Sequence, residues 1–173
     1  MTKNLIIEYY VEGEDEKKLI EVLKTDMQII KPGKVRVLNV VSERITAARL
    51  MSLKPNSAVV LVFDTDVGDT TILEENIKAL CKCTSVVDVI TIPQVKKLED
   101  ELVKSCNIKD VKQFFDSQGI KKFKSDFIKE KNLKKKLLDK GFDINKLWSS
   151  KPTGKFASIT NQADKIKKQS LTI

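Results

Sequence analysis

Val59-Val-Leu-Val-Phe-Asp-Thr-Asp66 is a run of five apolar residues that delivers two aspartates, one residue apart, at its end. Val59 to Phe63 have the length and composition of a strand buried on both faces. In open parallel sheets ligands bind just beyond the carboxyl ends of the strands, which is where Asp64 and Asp66 would stand. Leu5 to Val11 repeats the design and runs into Glu12-Gly-Glu-Asp-Glu16. Two buried strands that each end in carboxylates are costly unless a cation gathers the charge, so the pair points to a metal site.

The segments around these two runs alternate. A strand is expected at about 4–11, a helix at about 14–25, and a second strand over Lys34–Val41 after the Pro32-Gly33 turn. Ser42 reads as the N-cap of a helix reaching about Leu53, stopped by Pro55-Asn56. The third strand is expected at about 57–63 and a helix at about 70–82, opened by Asp69 or Thr70. Val86–Ile92 reads as a fourth strand closed by Pro93. Strands alternating with helices imply parallel pairing through right-handed crossovers, hence an α/β fold with a parallel sheet of about four strands. Beyond Pro93 the pattern turns helical, with helices expected at about 97–106, 109–116, 121–139, 143–148 and 157–168. The chain is thus read as a single domain over 1–173, an α/β core to about residue 95 followed by a helical, basic C-terminal extension over about 96–173.

Composition narrows the chemistry. The 173 residues include no histidine, which removes Ser-His and Cys-His nucleophilic machinery and makes a zinc site unexpected. A metal held here should be a hard cation on oxygen ligands, Mg²⁺ or Mn²⁺, as one or two ions. Three cysteines without a disulfide spacing imply reduced thiols and a cytoplasmic address. The N-terminus shows no signal-peptide pattern, and no apolar run approaches the ~20 residues needed to span a bilayer. Charge is divided unevenly. Residues 1–120 carry a net of −2 and residues 121–173 a net of +10. Strand-end carboxylates followed by a basic half suit a protein that binds a metal and a polyanion together.

A strand-end glutamate in Val11-Glu-Gly-Glu-Asp-Glu16, followed two βα units later by Phe63-Asp-Thr-Asp66, resembles the Toprim fold. Glutamates four apart at a helix start are most similar to the overcoming-lysogenization-defect (OLD) nucleases of that group. The resemblance covers about residues 4–92. It implies a Mg²⁺-dependent nuclease acting on DNA or RNA in phage or host defence, with a protein partner such as an ATPase. The residues agree physically. Glu12 and Glu16 lie one helical turn apart if Gly13 opens the helix, and Asp64 and Asp66 share a face if both belong to the strand. Asp69 is a further ligand or a cap for the next helix.

The resemblance also implies an acidic residue after the last core strand that completes a second metal site, here Glu99 or Glu101. The alternative for both is a solvated helix N-terminus, where acids favour the macrodipole. It implies a late lysine near the site as well, with Lys155 in Pro152-Thr-Gly-Lys-Phe156 first and Lys151 second. The segment 121–140 holds nine lysines and three acids, with Phe123, Phe127, Leu133, Leu137 and Leu138 as its apolar stripe. Lys121, Lys122, Lys134, Lys135 and Lys136 are its candidate phosphate contacts. Tyr9 and Tyr10 fall inside the first strand, where a strand-passing nucleophile is not expected. Trp148 reads as a core anchor, and Cys81-Lys-Cys83 as helix-end packing.

Two other readings compete. One is a Toprim-like module that binds nucleic acid or a partner without cutting it. A haloacid-dehalogenase-type phosphohydrolase also places D-x-D after a strand, but that motif carries Thr or Val where Gly68 stands and normally opens its fold.

Overall fold

A computed structural model describes residues 5–168; the expected strand start near residue 4 lies outside them. Four strands, β1 (Ile6–Val11), β2 (Lys34–Val37), β3 (Ser57–Asp64) and β4 (Val86–Gln94), form one parallel sheet in the order β2-β1-β3-β4. Helices α1 (Glu14–Glu21), α2 (Ala47–Met51), α3 (Thr71–Lys82), α4 (Leu98–Ser105), α5 (Ile120–Lys129) and α6 (Leu133–Asp139) flank it. The architecture is α/β and Rossmann-like, as the alternation predicts.

Pleating divides the two central strands between two cores. Ile7, Tyr9 and Val11 with Ala58, Val60 and Val62 face α1, α4, α5 and α6, while Tyr10, Val59, Leu61 and Phe63 face α2 and α3. The interiors of β1 and β3 are therefore almost entirely apolar because both faces are covered. The lone polar position inside β1, Glu8, is buried and paired with Arg36 of β2 at 2.6 Å.

Several elements depart from the expectations, each for a local reason. The second strand stops at Val37, because the Asn39 side chain accepts from Val41 and Ser42 amides and turns the chain. The helix expected from Ser42 begins only at Ala47, capped by Thr46, whose hydroxyl accepts the Arg49 amide. Pro93 does not close the last strand: β4 is an edge, so a missing N–H is tolerated and pairing continues to Gln94 opposite Asp64. The 121–139 helix is broken at Glu130–Asn132, where Asn132 caps α6 through the Lys135 amide.

Residues 109–116 shrink to a 3₁₀ turn at Val111–Phe114, and residues 143–148 form turns. Residues 157–168 form no α-helix; they hold a 3₁₀ turn at Ala163–Lys165 and an isolated antiparallel bridge from Lys167 to Ile30. That last segment covers the β4 edge instead. Gln162 N–H donates to the Thr91 carbonyl, and its side-chain oxygen accepts the Thr91 amide. The basic segment is not an appendage: Phe123, Phe127, Leu133, Leu137, Trp148 and Ile166 share one core with the sheet. Leu138, expected in that stripe, is exposed. Among the described residues no helix is long and apolar enough to cross a membrane.

Candidate functional site

The exits of β1 and β3 lie side by side, since Val11 pairs with Val62. Glu12 leaves β1 and its carboxylate accepts the Asp64 amide at 3.2 Å, which ties the two strand ends together. Asp64 is the last residue of β3. Its carboxylate accepts the side-chain amide of its register partner Gln94 at 2.6 Å. The orientation of that amide is set by Trp148, whose indole N–H donates to Gln94 Oε1 at 3.2 Å. A relay from Trp148 through Gln94 thus holds Asp64.

Their spacing predicts that Asp64 and Asp66 share a strand face, but Asp66 lies beyond the end of β3. The strand ends first, because Thr65 is stitched to the exit of β4: its amide donates to the Lys96 carbonyl at 2.7 Å and its hydroxyl to that of Gln94 at 2.8 Å. Asp64 is left half-buried and Asp66 exposed.

Gly13 precedes α1, and a Cβ there would lie 2.9 Å from Asp15 and 3.0 Å from Glu16 carboxylate oxygens. The missing side chain is what lets both acids fold back over the strand end. Asp15 and Glu16 are buried, and so is Glu99 in the first turn of α4. Lys124 of α5 reaches Asp15 at 3.2 Å and Glu99 at 3.4 Å.

The carboxylates feel one another. Burial, then the charges of Glu12, Asp66 and Glu99, push Asp64 up to about 8, with the Gln94 amide opposing. Burial and neighbouring Asp15 push Glu16 up to about 9. Glu12 is raised by burial and Asp66, against the Asp64 amide. Asp15, although buried, is held low by its hydrogen bond with Glu16 and by Lys124. For Lys124, burial opposes the charge, but Asp15 and Glu99 outweigh it and hold the ammonium above the usual lysine range.

A carboxyl whose folded pKa is raised binds its proton more tightly when folded. Its contribution is full below the ordinary value near 4 and lost as pH rises through about 8 for Asp64 and about 9 for Glu16. Each pKa unit is worth about 1.4 kcal/mol, and each kcal/mol shifts the Tm of a domain this size by about 2–4 °C. In EDTA the Tm is therefore expected to fall by about 5 °C or more between pH 6 and pH 9. Scanning calorimetry checks this; a flat profile would mean that the acids are not mutually strained.

The other candidate residues divide. Asp69 is exposed and accepts the Thr71 amide at 2.9 Å, so it caps the start of α3. Glu101 is fully buried but serves the frame: it accepts the Val95 amide at 2.9 Å and the Trp148 amide at 2.8 Å and pairs with Lys104. Lys155 lies beside Asp66, in a cleft of about 560 Å³ also lined by Gly68, Lys96 and Thr153. The next residue, Phe156, fixes this loop by packing on Phe63, the residue before Asp64, with ring centroids 6.1 Å apart.

Lys151 is exposed in the same loop. Lys121 is exposed at the start of α5, and Lys122 pairs with Asp126. The Lys134–Lys136 group stands apart from the acids. Lys134 donates to the Asp26 carbonyl beyond the C-terminus of α1, roughly 15 Å along the helix from Asp15. Lys135 pairs with Asp139, and Lys136 covers the Phe115 ring. Sequence reading missed Asp15, Gln94, Lys96 and Lys124. Asp15 is visible inside the quoted motif and Lys124 inside the lysine run, where nothing local separates it from its neighbours; Gln94 and Lys96 carry no local signal.

The carboxylates of Glu12, Glu16, Asp64 and Asp66 are oxygen donors of the type a hard divalent cation takes, and burial makes the negative charge of Glu12, Glu16 and Asp64 costly. They do not form a ready-made cage: among the described residues no three Asp, Glu or Cys side chains converge closely enough to hold a metal ion. Compared with family models, curated proteins and solved structures, the chain matches none.

Proposed function

We propose that this chain is a Mg²⁺- or Mn²⁺-dependent, Toprim-like nuclease that hydrolyses phosphodiester bonds. The observation that carries the reading is the juxtaposition of strand-end acids Glu12, Asp64 and Asp66 with a cleft carrying Lys96 and Lys155. Glu12, Asp64 and Asp66 would hold the ion, with Glu16 beside them. A divalent cation bound there supplies Lewis-acid polarisation of a phosphoryl oxygen and an activated water.

The protein groups do the positioning. Gln94 and Trp148 keep the Asp64 carboxylate in one orientation, so that little reorganisation remains when substrate arrives. Exposed Asp66 is the acid nearest the substrate side, and Lys96 and Lys155 attract the phosphate across the cleft. The substrate is DNA or RNA, and the acting assembly includes a protein partner such as an ATPase in phage or host defence.

The test is a cleavage assay on plasmid, single-stranded DNA and total RNA with Mg²⁺, Mn²⁺ or EDTA. Metal-dependent cutting is expected. A second reading, a module that binds without cutting, is favoured by the protein donors already engaging Glu12 and Asp64. Nucleic-acid binding without cleavage under every metal condition would select it.

The polyanion contacts are assigned to the cleft and not to α6. Alanine at Lys96 and Lys155 is expected to weaken nucleic-acid binding and lower the slope of log K against log salt by about 2. Alanine at Lys134, Lys135 and Lys136 should change that slope by less than about 1, because Lys134 is tied down beyond the C-terminus of α1 while Lys135 pairs with Asp139 and Lys136 covers the Phe115 ring. Filter binding across a salt series checks both; the reverse ranking would move the interface to α6.

A further inference from the structure

Trp148 stands in the left-handed region at φ +52, a conformation that a bulky residue keeps only where its surroundings hold it. Three side chains do so. Glu101 accepts its amide at 2.8 Å, Gln94 Oε1 accepts its indole N–H at 3.2 Å, and Asn161 Nδ2 donates to its carbonyl at 2.8 Å. The first contact belongs to the frame and the second orients Asp64. The third leads to the opposite wall of the cleft.

Between Trp148 and Asn161 the chain forms a loop that carries Lys151 and Lys155, both exposed. Among the described residues the backbone of 151–159 makes no hydrogen bond to a strand or an α-helix. Its bonds are local, donated by Phe156, Ala157 and Ile159. Such a loop keeps its place only through its ends and its apolar contacts. Asn161 ties the ends. Its Nδ2 donates to the Ser150 carbonyl at 2.9 Å as well as to Trp148, while its Oδ1 accepts the Ala163 amide at 3.1 Å. One planar group thus closes the neck with both its donors and its acceptor engaged. Beside it the Thr91 hydroxyl donates to the Thr160 carbonyl at 2.6 Å, which docks the neck on β4. At the tip, Phe156 is buried against Phe63.

We propose that Asn161 is a positioning residue for the cleft: it closes the neck of the 149–160 loop onto the Trp148 turn, so that the loop bearing Lys155 and the carboxylate of Asp64 are both held from that one turn. The inference rests on the reading of Lys155 as a phosphate contact. The ammonium itself stays exposed and follows the phosphate. Asn161 supplies the backbone position from which it reaches, and a side chain that starts in place loses less conformational freedom on binding.

The experiment uses the full chain. Amide hydrogen exchange, which needs no nucleic acid, reads the loop. Phe156, Ala157 and Ile159 are expected to exchange at least about ten-fold faster in Asn161→Ala than in the unaltered protein, and at an unchanged rate in Lys155→Ala. Filter binding of single-stranded DNA and of total RNA at one salt concentration reads the coupling. Lys155→Ala is expected to weaken binding by the unaltered protein but to add less than about a two-fold loss in the Asn161→Ala background, where independent sites would add in full. Asn161→Asp, which keeps the acceptor for Ala163 and lacks the donors, is expected to match Asn161→Ala and replaces it should that variant not fold. Losses that add in full, or loop amides that stay protected in either folded variant, would overturn the role of Asn161. So would loop amides that exchange freely in the unaltered protein. No binding of either nucleic acid by the unaltered protein, or full binding by Lys155→Ala, would instead overturn the phosphate reading of Lys155, and exchange alone would then decide the role of Asn161.

Discussion

Asparagine at both Asp64 and Asp66 is expected to lower Mg²⁺-dependent cleavage by on the order of a thousand-fold or more, while the folded protein becomes more heat-stable in EDTA. The two effects have one origin. Asp64 is a carboxylate held against its preference: burial, Glu12, Asp66 and Glu99 all disfavour its charge. Asparagine keeps the shape and still accepts the Gln94 amide, but it removes the charge that an ion requires. Loss of catalysis should thus accompany a higher melting temperature, most clearly near pH 8–9, where the native acids are ionised. Cleavage rates and calorimetry on the same preparation test this. A double variant that cuts at the unaltered rate would remove these residues from the chemistry, and one that melts lower in EDTA would show that their charges are not in conflict.

The replacement of Glu101 by alanine should have a large effect of the opposite kind. Its carboxylate is 0% exposed and accepts the amides of Val95 and Trp148 while pairing with Lys104. Truncation leaves two buried N–H groups without an acceptor and a lysine without its partner. Removing one partner of such a network costs about 3–5 kcal/mol, or roughly 6–20 °C in Tm for a domain of this size. Metal stoichiometry measured well below the new Tm is expected to stay unchanged, since Glu101 points into the frame between β4 and the 148 turn. A variant that melts normally but loses an ion would make Glu101 a ligand after all. Glu99, only two residues earlier in α4 and therefore on a different side of the helix, is the acid that reaches the strand-end cluster, through Lys124.

The contrast between these two glutamates shows how far local sequence reaches. Both lie in the first turn of α4, and both are explained equally well by a helix N-terminus. Their division of labour follows from what packs above each: the 120s helix over Glu99, the Trp148 turn over Glu101. The same holds for the lysines. A run of nine within twenty residues is an obvious charge signal, yet α5 carries Lys124 into the acids while α6 carries Lys134 to the other end of α1. The break at Asn132 that separates the two helices is a matter of one side chain capping one amide.

Strand identity, the parallel α/β class and the strand-end position of Glu12 and Asp64 were legible from the chain, because they depend on short-range periodicity: apolar runs fit only doubly covered strands, and whatever follows such a run emerges at the sheet's carboxyl edge. Gln94 beneath Asp64, Lys96 and Lys155 across one cleft, and Lys124 between Asp15 and Glu99 were not. Those contacts join residues tens of positions apart. They exist only once the helices have packed and the sheet register is set, since interior packing, not sequence neighbourhood, chooses which charges must share a buried space.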